Sequence, residues 1–262
     1  MGKSFQKTKD SGKKKNTGPC YYLGIAILLA VFLVSAFQFG TEIRTGYMEH
    51  RNFEKMATRM EKTDPNARTG EGYLVSYAHF YQENPDFEGW LHIPDTKINL
   101  PVMYTPEDPE YYLHRDFQKK ESKSGTLFLD EKSTEDADCR IIYGHNMKNK
   151  TMFGSLEEYL DPKFWKEHKT FSYDSLTGRG EYEVFSVVKT QVAGQDDRAF
   201  RYDRFSGKLT DLSYRQLVGW FKEQAVYDTG ILPEPNEPLL LLSTCSYHTE
   251  NGRLVVAARK VQ

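Results

Sequence analysis

Cysteine is scarce in this sequence: three residues in 262, at positions 20, 139 and 245, with no C-x-x-C. An exported domain stapled by disulfides carries a denser, even-numbered set, so a disulfide scaffold is excluded. The one pairing left outside the apolar N-terminal run, Cys139 with Cys245, is not one that a domain of this size needs. Histidine is also sparse. The seven residues show neither H-x-x-x-H nor H-E-x-x-H spacing, and no metal centre is expected. An excess of charge of one sign is missing as well: the net charge is −2, and the body of the chain has no basic face interleaved with aromatics, which argues against nucleic acid as a partner. What remains is 39% hydrophobic residues with 14% aromatics, enough for a sizeable core and too much for a disordered chain.

The charge that is present is unevenly placed. Residues 1–15 hold six lysines against Asp10, a local +5 in a chain of net −2. Directly after them comes "PCYYLGIAILLAVFLVSAFQFG", residues 19–40, with no charged side chain between Lys15 and Glu42. As a helix this run spans about 33 Å, the thickness of a bilayer's hydrocarbon core. It is expected to be a transmembrane helix, with residues 1–18 a cytoplasmic tail by the positive-inside rule and everything beyond about residue 41 outside the cell. A cleaved signal peptide is the rival, since Val34-Ser35-Ala36 has the spacing a signal peptidase accepts. The apolar run, however, is longer than an h-region of about 7–15 residues.

Residues 41–71 are expected to form an extracellular lead-in: Ile43, Tyr47, Met56 and Met60 recur at helical intervals, and "TDPNARTGEG" then breaks the helix. The domain proper is placed at 72–262. It starts with a helical stretch over 72–82, and from residue 88 the pattern becomes short strands: "GWLHI", "KINLPVMY", "GTLFLD", "CRIIYGH", "KTFSYDS", "EYEVFSVVKTQV", "PLLLLSTC" and "RLVVAARKV". Helical interruptions are few: a turn at "PEYYLHRDF", "MFGSLEEYLDPKFWKEH" kinked at Pro162, and "SYRQLVGWFKEQAVY" capped by Asp211 or Ser213. Many short strands with scattered helices predict a mostly β barrel or sandwich.

Cys245 ends the apolar run "LLLLSTC", where the chain turns into the polar "SYHTENG". A reactive cysteine needs a base or proton donor and a positive environment. Arg253 begins the next strand, so across a hairpin-like pair it faces Cys245 within side-chain reach. Its guanidinium keeps its charge and donates in a planar fork suited to an oxyanion. Arg259, six residues on, lies about 20 Å further along the strand. Two histidines are candidates for the base: His248 in the loop, and His145 at the exit of "CRIIYGH". The other five histidines read as surface or packing residues. The bland alternative is that Cys245 is an ordinary buried sulfur.

The segment "LLLSTCSYHTENGRLVV" resembles the sortase signature T-L-x-T-C followed by an arginine in the next strand, and "IIYGHNM" resembles that family's histidine segment. The family's first threonine is replaced here by Leu241, which has no part in the chemistry. The arginine spacing, the long helical lead-in and the helix at 213–227 resemble class B sortases in particular. The resemblance implies a closed eight-stranded β-barrel with N-terminal and a few peripheral helices. It also implies roles: Cys245 as nucleophile, His145 as acid and base, Arg253 as partner of the oxyanion, and no cofactor. Ser243 and Thr244, flanking the nucleophile, are candidates for hydrogen-bonding the substrate, and the helix at 213–227 for a wall of its groove. The implied activity is a membrane-anchored cysteine transpeptidase. It cleaves the sorting motif of a secreted protein after Thr and passes the acyl group to the amine of a lipid-linked peptidoglycan precursor. An exported cysteine hydrolase and a tethered binding module with an inert cysteine are the alternatives.

Overall fold

The computed structural model describes residues 19–60, 64, 67–191, 200–245 and 251–261, and within 19–60 the side chains at 22–37, 40, 48 and 51–60. The basic tail at 1–18 and the loop holding His248 lie outside the described residues. The chain divides into two compact units, residues 1–45 and 46–262. The first contains the start of helix α1, Pro19–Met60. Its described apolar side chains, among them Leu28, Phe32, Leu33 and Phe37, are exposed. Among the described residues no helix is long and apolar enough to cross a membrane. The span expected over 19–40 is therefore not supported by the described residues. Helix α1 runs through the expected boundary at 40/41 without a break. The helix continues to Met60, because residues 41–60 contain no proline and a glycine inside a helix costs only about 1 kcal/mol.

In the second unit the last turns of α1 bury Phe53, Met56 and Ala57 in the main core, while Ile43 and Tyr47 lie outside the described side chains. Helix α2, Val75–Glu83, follows with Tyr77 and Phe80 in the same core. Then come β1 (Phe87–His92), β2 (Asn99–Met103), β3 (Leu127–Leu129), β4 (Cys139–Tyr143), β5 (Thr170–Ser175), β6 (Glu181–Gln191), β7 (Leu239–Cys245) and β8 (Gly252–Lys260). They close into a barrel in the order β1-β2-β3-β4-β7-β8-β6-β5. Each of the eight strand segments read from the sequence is a strand here. "PEYYLHRDF" contains a 3-10 turn at Tyr111–His114. The kink at Pro162 separates a 3-10 helix, Phe153–Leu160, from α3, Pro162–Glu167. There Asp161 caps α3 by accepting from the Lys163 N–H at 2.8 Å, and the proline takes the first turn, where its missing N–H costs nothing.

Helix α4, Asp211–Gln224, is capped by Thr210 rather than by Asp211 or Ser213: the Thr210 side chain accepts from the Ser213 N–H, and the Ser213 hydroxyl accepts in return from the Thr210 N–H at 2.8 Å. It lays Tyr214, Leu217, Val218 and Phe221 over the outside of the barrel, on β6 through Phe185 and Val188 and on the neighbouring outward residues of β8, β7 and β4. Two cores result. Leu240, Leu242, Leu254 and Val256 point into the barrel, whereas Leu239, Leu241, Val255 and Ala257 point out beneath α4. A strand buried on both faces has no polar alternation, which is why β7 reads as an unbroken leucine run.

Candidate active site

The register of three neighbouring strands assembles the site. In the parallel pair of β4 and β7 the last partners are Tyr143 and Ser243, and two residues beyond them lie His145 and Cys245. In the antiparallel pair of β7 and β8, Cys245 is directly opposite Arg253. Cys245 therefore stands on the middle strand, with the histidine segment on one side and the arginine on the other, strands being about 4.8 Å apart. Side chains alternate along a strand, so Cys245 and Arg253 share the outward parity of Leu241 and Val255 but lie past the cover of α4. Cys245 is exposed and free; Cys139, beneath α4, is buried and also free, so the two form no bridge. His145, Cys245 and Arg253 together line a cavity of about 440 Å³. Leu113, Tyr143 and Tyr202 contribute apolar wall, and Glu110, Asp130, Glu131 and Asp203 contribute carboxylates.

The surroundings of His145 fix its ring. Nε2 donates to the Leu113 carbonyl at 2.8 Å, which leaves Nδ1 as the basic nitrogen. The ring of His114, from the same 3-10 turn, stacks on it at a centroid distance of 5.5 Å. Burial of the half-buried imidazole lowers its pKa below the usual 6.5, the Leu113 carbonyl opposes that, and His114 adds to the lowering. The turn reaches His145 because Gly125, at φ +60°, lets the next strand approach: a Cβ there would strike the Leu113 and Tyr112 carbonyls. Gly144 is constrained likewise, since a Cβ would run into the Leu127 side chain and the Phe153 ring. Behind it, the Gly144 N–H donates to the Ser243 carbonyl at 3.2 Å, and the Phe153 N–H to the His145 carbonyl at 2.9 Å.

Ser243 and Thr244 line the cavity, but both are buried and their hydroxyls are engaged. Ser243 Oγ shares a hydrogen bond of 2.7 Å with the Tyr202 hydroxyl, and Thr244 Oγ1 donates to the Gly144 carbonyl at 2.7 Å. Among the described residues none of α4 lines this cavity, whereas Tyr202 and Asp203 of the 3-10 turn Tyr202–Phe205 do. Arg253 donates only to the Gly252 carbonyl among its described hydrogen bonds, at 3.1 Å, whereas Arg259 is held by Glu183 and Glu237. Sequence reading passed over His114, Leu113, Asn146 and Tyr202. The position of Asn146 beside His145 was the one available signal, because the others act through contacts across the fold.

A family model described as the sortase domain matches residues 91–261. The chain belongs to the sortase family. It is 30% identical over 239 residues to sortase B of Listeria monocytogenes, covering 90% of this chain and 94% of that protein. It is 27% identical over 246 residues to sortase B of Staphylococcus aureus, covering 91% and 96%. The crystal structure of sortase B from Bacillus anthracis in complex with AAEK1 matches with a TM-score of 0.72 at 28% identity, over 84% of this chain and 99% of that one. The resemblance to class B sortases thus holds for fold and family together, and this sortase is a cysteine transpeptidase.

Proposed function

We propose that this sortase acts from the outer face of a Gram-positive membrane, held by residues 19–40 with its N-terminus in the cytoplasm. It joins secreted proteins bearing a C-terminal sorting motif to the amine of a lipid-linked cell-wall precursor. What carries this reading is the exposed Cys245 placed between the His145 segment and Arg253 in one cavity. The neutral imidazole, its basic nitrogen freed by the Leu113 carbonyl, takes the thiol proton as the sulfur attacks the carbonyl carbon of the motif's Thr. The Arg253 fork offsets the charge on the tetrahedral oxygen. Collapse breaks the peptide bond, and the imidazolium gives its proton to the departing amine. The resulting thioester keeps the acyl group activated for an incoming amine, which His145 deprotonates as it attacks. No cofactor enters the scheme.

A peptide library with free C-terminal extensions, incubated with the full chain in detergent with and without a primary amine, tests this. Amine-dependent ligation after Thr, abolished by Cys245→Ala, is the expected result. Cleavage to the free acid at the same rate with or without amine would point to the hydrolase, and no turnover of any peptide to a binding module.

A further inference from the structure

Past Tyr143 the β4–β7 ladder should fail, because β4 turns away: the backbone of Asn146 pairs with Met152 instead of with β7. A parallel ladder that has just used the Gly144 N–H on the Ser243 carbonyl would next use the Asn146 N–H on the Cys245 carbonyl. That second rung exists, but it comes from a side chain. Asn146 Nδ2 donates to the Cys245 carbonyl at 2.9 Å and to Glu157 Oε1 at 2.9 Å, and Asn146 is buried. Cys245 is the last residue of β7, so on its β4 side this amide is the tie that follows Thr244 Oγ1 to Gly144.

We propose that Asn146 is a positioning residue for the nucleophile: its side-chain amide replaces the rung that its own main chain withdraws, and so holds the end of β7 against His145. The geometry also explains why histidine and asparagine are adjacent. One side chain must face the sulfur while the next reaches back to the strand that bears it. Glu157 aims the amide, and its carboxylate accepts one N–H while the Cys245 carbonyl accepts from the same nitrogen. The inference rests on the pairing of Cys245 with His145 under the proposed function, and the experiment separates the two.

Alkylation of Cys245 by iodoacetamide, followed by peptide mass spectrometry from pH 5 to 9 on the full chain in detergent, reads the thiol's surroundings without a substrate. The comparison is between the unmodified sequence, H145A, E157A, N146A and the pair N146D/E157Q. The pair keeps a hydrogen bond between positions 146 and 157 but removes the donor to the Cys245 carbonyl. Arg253, His114 and the carboxylates of the cavity wall are untouched throughout. H145A is expected to move the pH midpoint of alkylation by about one unit, and N146A and N146D/E157Q to move it at least half as far in the same direction. E157A, which removes the carboxylate that aims the amide, is expected to move it in the same direction by less than N146A does. N146A coinciding with the unmodified protein while H145A departs from it overturns the inference, as does recovery of the original profile in N146D/E157Q. If H145A itself causes no change, the pairing of Cys245 with His145 fails, and the inference with it. Should N146A not fold, N146D/E157Q carries the same comparison.

Discussion

At the scale of single residues, the site depends on three side chains that differ in how they are held. Cys245 and Arg253 are fixed by strand register, one rung of one hairpin. His145 lies beyond its strand and is held by contacts: the Leu113 carbonyl on Nε2, the His114 ring on its face and main-chain bonds behind it. Under the proposed function His114 therefore tunes the base as well as covering it. Replacing it by a non-stacking residue, His114→Gln, removes the electrostatic effect of His114 on His145 and part of the burial, and both changes raise the pKa of His145. The imidazole must be unprotonated to accept the thiol proton, so the acid limb of kcat/KM is expected to move to higher pH in the variant. A pH-rate profile checks this, and an unshifted limb would mean that His114 only fills space.

The elements divide into those that build the site and those that merely cover the barrel. The 3-10 turns at 111–114 and 202–205 reach the cavity; α4 does not. Its capping box at Thr210 lies among exposed residues, and loss of such a cap costs about 1 kcal/mol. Thr210→Ala should therefore lower Tm by a few degrees while kcat/KM at 25 °C stays within error, with calorimetry and a peptide assay as the two readings. A loss of activity without loss of Tm would place α4 in the substrate's path after all. The same division explains the reading of α4 as a groove wall from resemblance alone: the helix was located correctly between β6 and β7, but its direction over the sheet is a matter of which face of β7 needed covering.

At the scale of the whole molecule, the barrel end far from Cys245 contains a polar pair, a buried arginine beside a half-buried glutamate. Arg140 Nη1 lies 3.6 Å from Glu88 Oε1, and the Arg140 Nε–H donates to the Thr134 carbonyl at 2.8 Å. Burial pushes the Glu88 carboxyl up from 4.5 to about 7, against the pull of Arg140. The folded state thus holds a proton that the unfolded chain releases near pH 4.5. Glu88 contributes its full stabilisation below that pH, and the contribution is lost as pH rises through about 7. Glu88→Gln, which stays neutral, should show a smaller fall in Tm between pH 5 and pH 8 than the unmodified protein. Parallel Tm curves would show that Glu88 titrates alike in both states.

Much of this protein is determined locally and so was legible in its sequence. The eight strands follow from short apolar runs, alternating or, in β7, unbroken, bounded by turn residues, the α3 start from Asp161-Pro162, and the facing of Cys245 and Arg253 from two strand patterns separated by a short polar stretch. Tertiary structure decided what depends on residues far apart in the chain. It placed β4 beside β7 and so brought His145 into one cavity with Cys245, and it put His114 and the Leu113 carbonyl against that ring. It also engaged the hydroxyls of Ser243 and Thr244 within the protein, and it turned Asn146 back to a strand that begins some ninety residues later. Periodicity reports which face of a segment is buried, but not which neighbour buries it, and the choice between two histidines for one cysteine is a question about neighbours.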